Sequence, residues 1–290
     1  MKAIVNVPIC PLLDRPGPVG GDYPTVVDEA LYGMVVELLE SPAPGWRRVR
    51  TYYRYEGVVR EADLIPGDEE AAAWAALPKL TVWHKNFCDV LTAPKVQGYP
   101  LVTLPRGAVV SPTGEAEKGW RPVRLADGRT GFVQDGILGP YYTAPSAGEE
   151  GALRRRLTET ALLYRGTPYR WGGKSPMGID CSGLVSMAYL LNGIVIYRDA
   201  GIKEGFPIRP IDPKDAKPGD LLFFPGHVAM YLGEGRYVHS TGRAGDDGVA
   251  INSLDPAAPD FRRDLLERLS GAGSYFCSFR TKKQYPGPHR

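Results

Sequence analysis

The chain has 290 residues, with 35 Lys+Arg against 33 Asp+Glu, a formal net charge of +2. So even a balance gives no electrostatic case for nucleic acid or an acidic membrane surface as partner, and no stretch approaches the ~18 apolar residues of a membrane span. With 43% hydrophobic and 23% charged residues, the composition is that of an ordinary globular protein of two or three domains at about 100–200 residues each.

The opening, MKAIVNVPICPLLDRPG, has one Lys and a short apolar run broken by Pro8 and Pro11. It lacks the long apolar stretch of a secretory leader, which favours a cytoplasmic protein. Residues 1 to about 140 read as short strands between Pro/Gly breaks, including MVVELLE, WRRVRTYYRY and EGVVREADLI, then YPLVTLPRGAVVSP and GWRPVRLADGRTGFVQDGILG. Trp46-Arg-Arg-Val-Arg and Trp120-Arg-Pro-Val-Arg share one pattern, each followed by a turn and a glycine-led strand (Gly57-Val-Val; Gly131-Phe-Val). Period-2 patterning with short turns indicates small barrels, and the repeat indicates two copies of one β-fold. The expected division is 1–68, an Ala-rich helical connector over 69–80, a second β-unit over 81–145, and a third domain over 146–290.

From residue 146 the character changes. EEGALRRRLTETALLYRG reads as a helix with acidic residues in its first turn and a Gly stop at 166. A Gly-rich loop, YRWGGKSPMGID, leads to CSGLVSMAYLLNG, an apolar helix opening at Cys181. LLFFPG, HVAMYLG and RYVHS follow as strands, FRRDLLERLS as a helix and YFCSFR as a closing strand. Helix first and antiparallel meander after it is an α+β layout.

The four cysteines, Cys10, Cys88, Cys181 and Cys277, lie far apart without a C-x-x-C pair. That spacing suits neither a zinc site nor a disulfide framework, and no metal or other cofactor is expected. Cys181 alone stands at a predicted helix start, with Asp180 as N-cap, where the helix terminus favours a thiolate. His227 and His239 lie on consecutive predicted strands and can project onto one face, giving the thiolate–imidazolium arrangement of a thiol hydrolase. Taken singly, a Cys in an apolar helix is more often core, and a strand His more often structural. The combination is what points to chemistry.

TPYRWGGKSPMGIDCSGLV followed by GDLLFFPGHVAMYLGEGRYVHS resembles the NlpC-like family of cell-wall cysteine peptidases, over roughly residues 150–280. The resemblance implies a papain-like core, and the β-rich half is similar to the two bacterial SH3-like domains found ahead of it. With YRDAG after the nucleophile helix, the chain is similar to the γ-D-glutamyl-L-diamino acid endopeptidases that recycle muropeptides. It implies Cys181 as nucleophile, His227 as general base, His239 as the group orienting His227, and Tyr169 as an oxyanion donor. Asp180, Ser182 and Asp199 fall where that branch holds its substrate, with Asp199 the leading partner for the free amine of an N-terminal L-Ala. Tyr55 and Glu29, with Asp28 as rival to Glu29, fit the tyrosine and acid that the first SH3-like domain contributes. Ala200 departs from the small hydroxyl residue that often follows the aspartate. The implied partner is a murein tripeptide or tetrapeptide, bound by a monomer. An extracellular hydrolase of intact stems, a papain-like amidase or acyltransferase, and a non-enzymatic SH3-like binding protein stay open.

Overall fold

A computed structural model describes residues 1–18, 20–145 and 148–279. The first strand-rich unit comprises β1 (Lys2–Val5), β2 (Ile9–Leu13), β3 (Val26–Leu31), β4 (Val35–Leu38), β5 (Trp46–Thr51), β6 (Glu56–Arg60) and β7 (Leu64–Pro66). The second comprises β8 (Leu80–Val82), β9 (Phe87–Leu91), β10 (Pro100–Pro105), β11 (Val109–Pro112), β12 (Trp120–Arg124), β13 (Thr130–Gln134) and β14 (Leu138–Pro140). Their antiparallel orders are β3-β2-β6-β5-β4-β1-β7 and β10-β9-β13-β12-β11-β8-β14, the same topology strand for strand. The repeated Trp-x-x-Val-Arg pattern therefore marks two copies of one fold. Helix α1 (Asp68–Ala76) joins them, and its buried Trp74 donates from Nε1 to the Gly33 carbonyl at 2.9 Å.

The third unit opens with α2 (Glu150–Leu162). Leu153, Leu157 and Ala161 recur at four-residue spacing along its inner face and are buried, as an amphipathic helix on a core requires. Two short strands, β15 (Lys174–Ser175) and β16 (Gly178–Ile179), lead into α3 (Cys181–Leu191). The strands β17 (Arg209–Ile211), β18 (Leu221–Phe224), β19 (His227–Gly233), β20 (Arg236–Thr241), β21 (Gly248–Ser253) and β22 (Gly271–Ser274) form one antiparallel sheet, ordered β17-β22-β18-β19-β20-β21. Leu157, Leu184, Met187, Val228 and Met230 pack the two helices on this sheet, and the same apolar cluster continues into the first unit through Leu31 and Met34. The architecture is α+β, with a core shared across the first and third units.

Two sequence expectations shift at the C-terminal end. The helix expected over FRRDLLERLS is the short α4 (Arg263–Glu267). The closing strand is Gly271–Ser274 and not YFCSFR, because Ser274 Oγ accepts from the Phe276 N–H at 3.1 Å and turns the chain into a 3-10 segment over Phe276–Phe279. Arg280, the end of that motif, lies outside the described residues, as do Ser146 and Ala147 at the expected domain boundary.

Candidate active site

Cys181 is the first residue of α3, and Asp180 caps it by accepting from the Gly183 N–H at 2.6 Å. The cap holds because the first turn lies against the Gly-rich loop: a Cβ on Gly183 would stand 2.2 Å from the Gly173 carbonyl oxygen. The helix start leaves its early N–H groups without intrahelical partners, so that of Cys181 is available to an anion. The sulfur sits against the N–H groups of Ser182 and of Val228, the neighbour of His227, which pull its pKa down. Burial and then the Asp180 charge outweigh them and push the thiol up.

The histidines meet as the strand register demands. Met230 pairs with Val238 between β19 and β20, which sets His227 diagonal to His239 on one face. His227 Nε2 lies 2.8 Å from His239 Nδ1, and His239 Nε2 lies 2.8 Å from Asn252 Oδ1. Asn252 Nδ2 donates to the Asp260 carbonyl at 3.0 Å, so its Oδ1 is what faces His239. The tautomers follow: His239 donates from Nε2 and accepts at Nδ1, His227 donates from Nε2, and His227 Nδ1 is left as the free base. Burial and the neighbouring His239 push His227 down to about 3, and burial pushes His239 down to about 4. Burial thus opposes the charged forms of the thiol and the imidazole alike, against the pull of the helix start. Desolvation disfavours both charges.

Tyr169, half-buried, bridges to Ile179 two residues before Cys181, and its ring packs on Gly242. Burial, then the Cys181 and Asp180 charges, raise its phenol to about 12 and keep it a donor. Tyr55 of the first unit donates to Asp199 Oδ1 at 3.1 Å, bringing together two residues 144 apart in sequence. Glu29, only 3% exposed, accepts from the Lys174 N–H at 2.9 Å, with Arg170 Nη1 3.9 Å away. Burial raises its carboxyl above the usual range. Asp28 is spent otherwise: it accepts from Tyr53, Lys174 and Arg198 at 2.5, 3.1 and 2.6 Å. Both Asp180 oxygens accept from protein donors, and Ser182 Oγ lies between Asp180 and Arg198 at 3.1 and 2.8 Å. Sequence reasoning passed over Asn252 and Arg198. Asn252 was legible only as a polar residue in the strand INS, and Arg198 only as the neighbour of Asp199.

Among the described residues no group of three or more His, Cys, Asp and Glu is disposed to hold a metal ion. A cavity of about 790 Å³ opens where the three units meet, lined in part by Trp74, Tyr141 and Leu191, and none of the residues around Cys181 borders it. Chemistry and not volume marks the site.

Residues 166–259 match the NlpC/P60 family. Dipeptidyl-peptidase 6 of Lysinibacillus sphaericus is 45% identical over 254 residues, 87% of this chain and 92% of that protein. The chain belongs to the NlpC/P60 family. This NlpC/P60 protein is also 38% identical over 92 residues, 29% of its own length and 27% of its relative's, to the γ-D-glutamyl-L-lysine dipeptidyl-peptidase of Bacillus cereus. The crystal structure of an NlpC/P60 family protein from Bacillus cereus superposes with a TM-score of 0.77 over 95% of this chain and 99% of that one, at 22% identity. At that identity the likeness speaks for the fold: a papain-like core behind strand-rich units.

Proposed function

We propose that this NlpC/P60 protein is a cysteine endopeptidase that hydrolyses the γ-D-glutamyl-L-diamino acid bond of murein peptides carrying a free N-terminal L-Ala. The observation that carries the reading is the Tyr55–Asp199 hydrogen bond of 3.1 Å, by which the first unit closes over the third beside the nucleophile helix. A substrate's ammonium needs acidic partners, since burying it unpaired costs several kcal/mol. Asp199 and Glu29 supply carboxylates, and Glu29 is already destabilised as an anion by burial, so a cation beside it is favoured. The relatives named for dipeptidyl-peptidase activity, one of them on γ-D-glutamyl-L-lysine, support the same substrate class.

The cycle is acyl transfer. Cys181 Sγ attacks the γ-carbonyl of D-Glu as its proton passes to His227 Nδ1, and the N–H groups beside the sulfur stabilise the developing thiolate. The oxyanion is held by the Tyr169 hydroxyl and the Cys181 N–H, at about 2.7–4 kcal/mol per donor. His227 returns the proton to the leaving diamino-acid amine. It then takes one from the water that hydrolyses the thioester, while His239 and Asn252 keep its ring oriented. Asp180 and Ser182 serve substrate binding through the helix start they brace, and the SH3-like first unit shapes the amine end. Peptides with a free amino end are released wall fragments, so the enzyme works in muropeptide recycling, in the cytoplasm and as a monomer. Incubation with the free tripeptide and with sugar-linked peptidoglycan, followed by mass spectrometry, tests this. Release of L-Ala-γ-D-Glu from the tripeptide alone is expected, and equal cleavage of both refutes the free-amine requirement.

A further inference from the structure

Behind the nucleophile helix lies a fully buried charge cluster that the reaction itself does not use. Arg198, 2% exposed, donates from Nε to Asp28 Oδ1 at 2.6 Å, from Nη1 to Asp180 Oδ1 at 3.1 Å and Ser182 Oγ at 2.8 Å. Its Nη2 donates to Asp180 Oδ2 at 3.1 Å and to the Gly172 and Gly173 carbonyls at 3.1 and 3.4 Å. The guanidinium's donors are all used on two things: the first unit's carboxylate, and the cap and loop that present Cys181. Asp28 in turn holds Lys174, 1% exposed, at 3.0 Å, so two buried cations face two buried carboxylates. Lone stabilisation does not explain the layout, because apolar side chains fill such space as well or better.

Building on the nucleophile role proposed for Cys181, we infer that Arg198 is a positioning residue: gripped by Asp28 of the first unit, its guanidinium holds the Asp180 cap and, through it, the Cys181 thiol and N–H in their reactive arrangement. The first unit is then part of the machinery that readies the nucleophile, not only a wall of the substrate cleft. Electrostatics agree with the geometry. Asp180 adjoins the thiol and opposes its ionisation, whereas Arg198 favours it. The other groups against the thiol are Tyr169 from the loop before β15 and the N–H groups of Ser182 and of Val228 in β19. With Arg198 neutralised, the Asp180 charge acts on the sulfur without the guanidinium to offset it. Lys174 relieves the cluster when Asp28 is neutralised, since burial has already brought its pKa down to about 8 and it can release its proton.

The test uses the full chain with Arg198→Gln and Asp28→Asn. Iodoacetamide alkylation is followed against pH on the Cys181 peptide by mass spectrometry, with the exposed Cys277 as internal reference, beside steady-state cleavage of the free tripeptide and thermal melting. Arg198→Gln should raise the Cys181 alkylation midpoint by about one pH unit. It should also lower kcat about 10–100-fold while KM stays within about threefold. Asp28→Asn should lower kcat about tenfold with the same KM. A folded Arg198→Gln protein with the wild-type alkylation profile and kcat overturns the inference. If that variant does not fold, wild-type kcat in Asp28→Asn overturns it. Failure of the wild-type chain to cleave the tripeptide, or full activity of Cys181→Ala, strikes instead at the reading of the site on which the inference rests.

Discussion

The two strand-rich units share a strand order and differ in what they carry. Register makes the comparison exact to the residue: Cys10 faces Ala30 and Leu12 faces Asp28 in the first copy, as Cys88 faces Leu104 and Val90 faces Val102 in the second. Asp28 of the buried charge cluster thus corresponds to half-buried Val102, and Glu29 to Thr103, an exposed residue bonded to its neighbour Asp89 at 2.6 Å. The turn that supplies Tyr53 and Tyr55 in the first copy is Leu125–Arg129 in the second. One scaffold serves twice, and the buried acids and the tyrosine that reach the third unit sit on a single edge and turn of one copy. Core positions carry the fold, and edge and loop positions carry the task.

The largest effect is expected at Cys181, the proposed nucleophile. Cys181→Ala should reduce turnover about 10⁴–10⁶-fold with the melting temperature little changed, measured by tripeptide cleavage and calorimetry. Within the histidine chain, Asn252→Ala should lower kcat about 10–100-fold, because His239 loses the acceptor that fixes its tautomer. On the edge, Glu29→Ala should cut kcat/KM for the free tripeptide about 10–100-fold, whereas Thr103→Ala in the matching place should leave it within about twofold. Loss of activity in Thr103→Ala, or none in Glu29→Ala, would erase the difference between the copies.

The shared scaffold should respond alike in both. A Cβ on Gly57 would stand 2.7 Å from Leu12 Cβ, and one on Gly131 would stand 2.7 Å from Val90 Cγ1. Gly57→Ala and Gly131→Ala should each destabilise by about 1–3 kcal/mol in denaturant melts. A smaller effect concerns pH. His227 and His239 are held at about 3 and 4 against an ordinary 6.5, so below 6.5 the unfolded chain takes up protons that the folded one refuses. Their contribution to stability is complete above 6.5 and is lost as pH falls towards the folded values. The double variant His227→Gln/His239→Gln should flatten the fall in melting temperature over that window; an unchanged slope would contradict the assignment.

Much of this was legible in the sequence, for physical reasons. Trp46 and Trp120 head equivalent strands, and a repeated pattern can hardly report anything but a repeated fold. Cys181 could be read because a helix start and its Asp180 cap are local, set within a few residues. The pairing of His227 with His239 was also nearly local, fixed by one antiparallel register. Asn252 and Arg198 were hidden because their meaning lies in contacts. Asn252 gains its role from a carbonyl at Asp260, and Arg198 from Asp28, 170 residues away. The closing strand was misplaced for the opposite reason: the apolar run YFCSFR looks like a strand, but a single Ser274 side-chain bond turns the chain first. The depth of burial at Cys181, which pushes its thiol up against the pull of the neighbouring N–H groups, was beyond reach as well.

The claim that the first unit makes this a peptidase for free amino ends is tested most directly with two tripeptides differing only in N-acetylation. Cleavage kinetics of L-Ala-γ-D-Glu-diamino acid and its N-acetyl form should be measured for the wild-type chain and for Tyr55→Phe/Glu29→Ala. The wild type should favour the free amine by about 100-fold or more in kcat/KM, and the double variant should bring that ratio near unity. Equal rates on both peptides in the wild type, or a preference that survives in the double variant, would contradict it.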